Sequence, residues 1–327
     1  MTVKPKVMNP ILMSRADNSA PDDRRKKGLG TTVDKNAQEI ERPDLHPEQI
    51  ALESNPNLMF EHWDEFWRKI HGPRCSYQDG PDDTFFAGIC GYIQVHRLPA
   101  GPSCYFAPPY KAMTEPDGSL VKFVGDKIPP YRRPLQDGLV YWLAPTVKDL
   151  LPIDTCPKAV NKICPEGNIF VRNGIPSLSA EYVIVPSKTA DWAPICTVKT
   201  HYVKKDGMGK KELQNYLLHT HADFIKDGEL GKRKIERFAY ILNMNEKPDE
   251  PFYSDDAANL AGISVTFFKN MKDCEEYYGS EEYQKVACKE SEILDMEMSE
   301  WWTGIVYQVL VPENERATDR METIEWE

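Results

Sequence analysis

The chain has 327 residues, 40 basic and 51 acidic side chains and a formal net charge of −11. That balance argues against nucleic acid or an anionic membrane as the main partner. No apolar run reaches the ~18 residues of a membrane span, and the first residues lack the apolar core of a secretory leader, so a soluble, cytoplasmic protein is expected.

Residues 7–13, Val-Met-Asn-Pro-Ile-Leu-Met, read as a short strand, with Pro10 pointing to an edge or a bulge. From Ser14 to about Pro47 the sequence is polar, and its charge run at 22–28 reads as a solvated loop. In Phe60–Pro73, with Met59 just before it, Trp63, Phe66, Trp67 and Ile70 recur at helical spacing. One aromatic face must therefore be buried, and Gly72-Pro73 is expected to stop the helix just after His71.

Residues 85–96 read as a strand with two unlike faces. Phe85, Ala87, Ile89, Ile93 and Val95 form an apolar row, and Phe86, Cys90, Tyr92, Gln94 and His96 a mixed one. The apolar row is expected to meet helices, which turns the mixed row the other way. Residues 97–136 carry eight prolines and several aromatics, the makeup of an ordered covering loop. Strand 138–143, a helix near 147–151 and strand 181–186 complete a first unit.

A second unit repeats the order. Residues 193–203 form a strand, 210–224 a helix, 237–245 and 262–268 strands, 270–286 a helix and 302–311 a last strand. The layout is β-α-β-β-α-β twice, the split βαβ plan. Aligning His71 with His221 places Phe66 on Tyr216 and Trp63 on Leu213; aligning Tyr92 with Tyr240 sets Gln94 against Leu242 and His96 against Met244.

Glu65-Phe-Trp-Arg-Lys-Ile-His-Gly-Pro73, Gly91-Tyr-Ile-Gln-Val-His96, Asp137-Gly-Leu-Val-Tyr-Trp142 and Ala261-Gly-Ile-Ser-Val-Thr-Phe267 together resemble EthD-type domains of the dimeric α+β barrel (ferredoxin-like) superfamily. The resemblance implies an α+β fold in which two tandem ferredoxin-like units close one barrel inside a single chain. The units would be residues 1–188, with insertions at 14–56 and 97–136, and residues 189–327. It also implies that the mixed face of the second strand lines the barrel interior. The first unit would keep a polar pocket there. The second, whose corresponding row is Phe238, Tyr240, Leu242 and Met244, would supply apolar wall. Members of the superfamily include cofactor-free cyclases, monooxygenases, isomerases, lyases and dehydratases, with haem-binding branches besides, so the reaction must be argued from the site.

His96 is the first candidate for chemistry, because imidazole gives and takes protons near neutral pH. Tyr92 and Gln94 on the same face suit a carbonyl or hydroxyl. His71 is the second catalytic candidate, although a histidine in a helix's last turn also serves the helix dipole. Phe86, Trp67, Tyr240, His221 and His201 are candidate substrate contacts; for His201 solvent exposure is the plainer reading. The eight cysteines show no zinc spacing, and no phosphate loop or nucleophile elbow occurs. The expectation is a monomeric or homodimeric, cofactor-independent enzyme without metal. It would move a proton on a small, apolar, aromatic or polyketide-like compound, in lyase, dehydratase, isomerase or cyclase chemistry. Cofactor-free oxygenation, a haem protein or a non-catalytic binding barrel are the alternatives.

Overall fold

In the computed structural model the described residues are 6–15, 60–81, 83–98, 101–103, 135–189 and 191–311. Nearly all of the two expected insertions, the charge run at 22–28 and the covering role of 97–136 therefore lie outside the described residues.

The strands are β1 (Lys6–Arg15), β2 (Gly91–Arg97), β3 (Gly138–Ala144), β4 (Val171–Pro176), β5 (Ser179–Val185), β6 (Ile195–Tyr202), β7 (Ile235–Asn243), β8 (Leu260–Phe268) and β9 (Trp301–Leu310). They run β3-β2-β9-β6-β8-β7-β5-β1-β4, and a further β3–β1 pairing closes eight of them into an antiparallel barrel. Within the first half the spatial order is β5-β1-β3-β2; within the second it is β9-β6-β8-β7. The two four-stranded groups meet along β2–β9 and β5–β7.

Helix α1 covers residues 60–76: an α segment Phe60–Phe66, a π-helical turn Trp67–His71 and a second α segment Gly72–Ser76. Three short pieces follow β3, namely α2 (Val147–Leu150), α3 (Pro152–Thr155) and α4 (residues 159–170). In the second half α5 runs over residues 210–227, again with a π turn at Leu217–His221, and α6 is Glu229–Lys234. Helices α7 (Met271–Tyr278) and α8 (Glu281–Ile293) precede β9, each started by a side-chain cap, Asn270 and Ser280.

Gly72-Pro73 does not end α1 as the sequence suggests. The π turn absorbs the proline: Gly72 N–H reaches back to the Trp67 carbonyl, and Pro73, which has no N–H to donate, sits at the start of the next α segment. Pro10 is not on an edge either. It lies inside β1, between β3 on one side and, on the other, the point where pairing passes from β5 to β4. Residues 85–90 form turns rather than the first half of a strand.

Side chains from all eight barrel strands meet in one apolar cluster, including Leu12, Ile93, Tyr141, Val198, Val265 and Trp302. Only the inside of a closed barrel lets every strand contribute to one cluster, so this is the filled lumen. A fully buried ion pair lies among these strands as well: Arg237 donates to Glu181 at 2.6 Å, and Trp192 covers its guanidinium at 3.8 Å. Two further clusters lie outside the barrel. One packs α1 to α4 on β1 to β3, and the other packs α5 to α8 on β5 to β9.

The barrel therefore takes the face that the sequence reading assigned to helices. Ile93 and Val95 point inward, whereas Tyr92, Gln94 and His96 lie under α1. In β7, likewise, Phe238, Tyr240 and Leu242 pack against helices and Ala239 and Ile241 line the lumen. The mixed row lies outside, where α1 brings hydrogen-bond partners for Gln94 and His96.

Candidate active site

The mixed row of β2 and the aromatic face of α1 enclose a chain of polar side chains. The aromatic stripe of α1 turns Trp63 and Trp67 onto the sheet, and Trp67 stacks flat on the His96 imidazole at 4.0 Å and 9°. Trp63 and Tyr307 close the same ring from other sides, at 5.5 and 4.8 Å. His96 Nδ1 lies 2.6 Å from Asp64 Oδ1, and Nε2 lies 3.1 Å from Gln94 Oε1. Gln94 donates through its amide to the Trp67 carbonyl at 3.4 Å and to the Tyr92 hydroxyl at 2.8 Å. His71 Nδ1 bonds Glu166 Oε2 at 3.0 Å, and Cys75 lies near both His71 and Tyr92. Hydrogen bonds connect Asp64, His96, Gln94 and Tyr92 in one set and His71 with Glu166 in another.

The first set orients Gln94. The Trp67 carbonyl accepts only, so the Gln94 nitrogen faces it and the Gln94 oxygen faces His96. His96 Nε2 faces that oxygen and Nδ1 meets an Asp64 carboxylate oxygen at 2.6 Å, so both ring nitrogens are engaged. Burial pushes the His96 imidazole down, the Asp64 hydrogen bond and charge pull it up, and Arg68 lowers it, with a net lowering. Asp64 is the outward member: its side chain is 25% exposed, against 2% for His96.

His71 is shifted the opposite way. Burial lowers it, but Cys75 and Glu166 beside the ring outweigh that and hold it at about 10. Burial lifts the Tyr92 phenol well above its ordinary range, so it stays protonated. Two histidines with oppositely displaced pKa values under one helix form an acid–base arrangement.

The second half carries its own polar cluster in the corresponding place. His221 ends the π turn of α5, as His71 ends that of α1, and its Nε2 lies 3.0 Å from Glu290 Oε1. Its Nδ1 is bonded by the Tyr240 hydroxyl, and Lys199 bonds both Glu290 and Tyr283. Burial raises the Glu290 carboxyl, yet Lys199 and His221 bring it down to about 2. His201 is fully buried, not exposed as expected. Its Nε2 lies 2.9 Å from Ser264 Oγ, while its Nδ1 meets no hydrogen-bond partner among the described residues. Burial, then the nearby His221, push its pKa well below the ordinary value.

The candidates read from sequence thus fall into two groups. His71, His96, Tyr92, Gln94, Trp67 and Phe86 gather under α1, with Phe86 edge-on to Tyr92 at 5.8 Å. His221, His201 and Tyr240 gather under α5. Sequence reasoning missed Asp64, Glu166, Glu290, Lys199 and Ser264. For Asp64 a signal existed, since it precedes Arg68 by one helical turn beside the buried stripe.

Four of the described histidines, His71, His96, His201 and His221, have rings engaged by neighbouring protein groups. His96 has Trp67 flat on its ring and both nitrogens engaged. His71 and His221 are held by glutamates, and His201 faces the rings of His221 and Tyr240 at 6.1 and 6.0 Å. Among the described residues no group of three or more His, Cys, Asp or Glu is placed to hold a metal ion, no helix is long and apolar enough to cross a membrane, and all seven described cysteines are free.

No family model matches the chain, and no curated protein matches it. Among solved structures it is similar to an anthrone oxidase-like protein, at 8% identity over 94% of this chain and 96% of that one, with a TM-score of 0.48. A candidate monooxygenase from Fusobacterium nucleatum gives 4% identity over 98% and 99%, with a TM-score of 0.43. A chlorite dismutase variant from Candidatus Nitrospira defluvii gives 8% over 94% and 93%, with a TM-score of 0.39. The strand pairing by itself makes the chain a mixed α/β fold built on a closed, eight-stranded antiparallel barrel.

Proposed function

We propose that this chain is a cofactor-independent enzyme that moves a proton on a small, largely apolar compound, and that the Asp64–His96 pair moves it. The single observation behind this reading is the 2.6 Å hydrogen bond between a buried imidazole and a carboxylate that reaches the surface. Asp64 meets the substrate and takes its proton, and His96 behind it holds the carboxylate in place by hydrogen bonding. Trp67 fixes the imidazole plane and Gln94 holds its Nε2. Arg68 and the half-buried Tyr307 flank Asp64 and form the rim on which an aromatic or polyketide-like compound would lie. Removal of a proton from an activated carbon opens isomerase, lyase, dehydratase and cyclase routes alike, and a cofactor-free oxygenation starts from the same step.

In this reading the chain is two ferredoxin-like units fused head to tail, residues 1–188 and 189–327, the arrangement of EthD-type domains closed within one chain. The equal strand order in the two halves and the matching places of His71 and His221 support it.

The test is exchange of an acidic C–H for deuterium in D2O, followed by NMR on a panel of aryl ketones such as 2-tetralone. Wild-type protein should accelerate exchange of at least one member. His96→Ala and Asp64→Asn should each lower that acceleration by about 10²-fold or more. Equal exchange in wild type and both variants would overturn the assignment, and so would no exchange above buffer across the panel.

A further inference from the structure

We propose that the cleft at the start of α5 binds a small aldehyde or ketone and holds it as an imine on the Lys210 side chain. The cleft encloses about 570 Å3 and is lined by Lys210, Lys211, Gln214, Met244, Asn245 and Ala258, among others. That volume falls in the ~300–1,000 Å3 range of small-molecule sites, and its wall mixes apolar surface with a few polar groups. It lies on the second half, away from the Asp64–His96 pair.

Lys210 differs from three other part-buried lysines. Lys158 is paired with Asp83, Lys199 with Glu290, and Lys234 with Asp273 and Glu276. Lys210 Nζ instead donates to a neutral acceptor, the Asn245 carbonyl, at 2.6 Å, and among the described residues no carboxylate lies within ion-pair distance. It also sits at the first position of a long helix, whose positive end disfavours an ammonium. The charged groups around it are Lys211 and Glu212 on α5 and Glu246 and Glu250 on the loop after β7; Lys211 is itself held by Glu246. Burial brings the amine down to about 8 against the weaker pull of Glu246 and Glu250. At pH 7 about a tenth of such an amine is unprotonated, against roughly 0.03% for an ordinary lysine. A free amine lining a cleft is the requirement for attack on a carbonyl carbon.

The step balances without redox. Nζ attacks the carbonyl carbon and forms the C–N bond, giving a carbinolamine. The nitrogen then loses its second hydrogen as a proton, the carbinolamine oxygen gains one from solvent in the open cleft, and water leaves. Lys210 and the carbonyl compound become an imine plus one water.

The experiment treats full-length protein with benzaldehyde and cyanoborohydride at pH 7 and quantifies reductive alkylation at each lysine by peptide mass spectrometry. Lys210 should react at least ~10-fold faster than its neighbour Lys211, because the gain in free amine exceeds the loss in nucleophilicity that accompanies a weaker base. Its rate should saturate with benzaldehyde concentration, and the preference should shrink above pH 10. Ala258→Trp, which narrows the cleft, should slow benzaldehyde at Lys210 and leave formaldehyde unaffected. A Lys210 rate equal to that of Lys211 would overturn the proposal. So would a linear, unsaturated dependence together with no effect of Ala258→Trp.

Discussion

His221 stands in the second half where His71 stands in the first. Each is the last residue of a π-helical turn, and each bonds a buried glutamate at 3.0 Å, Glu290 and Glu166 respectively. Beyond that the environments part. His71 has Cys75 beside it and is held at about 10, while Glu290 is shared with Lys199. The same geometric slot therefore serves two charge arrangements.

The first prediction concerns alkaline stability. His71 has a folded pKa near 10, above its ordinary 6.5. Its contribution to stability is complete below pH 6.5 and is lost as pH rises through about 10. Urea midpoints of wild type should fall over that window. Glu166→Gln should flatten the fall and lower stability at neutral pH by about 3 kcal/mol, the scale for breaking a buried pair. An unchanged alkaline slope in Glu166→Gln would remove Glu166 as its cause.

On the acid side the sign reverses. His201 is kept neutral by burial, so the unfolded chain binds a proton that the folded chain refuses. Stability is fully present above pH 6.5 and falls as pH drops below it, by up to ~1.4 kcal/mol per pH unit. His201→Leu should reduce the slope of unfolding free energy between pH 6.5 and 5 relative to wild type. Parallel slopes would show that His201 gains a proton without unfolding.

Lys199 and Glu290 should behave as a coupled pair. Lys199→Met strands the Glu290 charge beside His221 and should cost about 3 kcal/mol. Adding Glu290→Gln removes the stranded charge, so the double variant should be destabilised by less than the sum of the single variants. Chemical denaturation of the four proteins completes the cycle, and additive losses would contradict the pairing.

Gly138 should tolerate no side chain. A Cβ there would run into ring atoms of both Trp67 and Trp63. Gly138→Ala should cost about 1–3 kcal/mol by overpacking. Because Trp67 is the plate on which His96 rests, the variant should also lower deuterium exchange on the ketone panel. Stability and exchange both at wild-type level would show that the two tryptophans are free to shift.

Several features follow from sequence alone because they depend on residues near in the chain. The aromatic stripe of α1 is set by the spacing of Trp63, Phe66, Trp67 and Ile70, and the structure buries that stripe. The alternation in β2 is real, and Tyr92, Gln94 and His96 do share a face. Period two separates two faces, but it does not say which one closes inward. Barrel closure decided that, because only the inward face of β2 meets seven other strands, and its polar face found Asp64 and the Trp67 carbonyl on α1. The buried glutamates that bond His71 and His221 were equally out of reach of sequence. Glu166 lies 95 residues from His71 and Glu290 69 residues from His221. A glutamate in a polar helix reads as a solvated surface group until the fold buries it against an imidazole. Local periodicity wrote the elements and their order; burial and long-range pairing decided which side chains became a site.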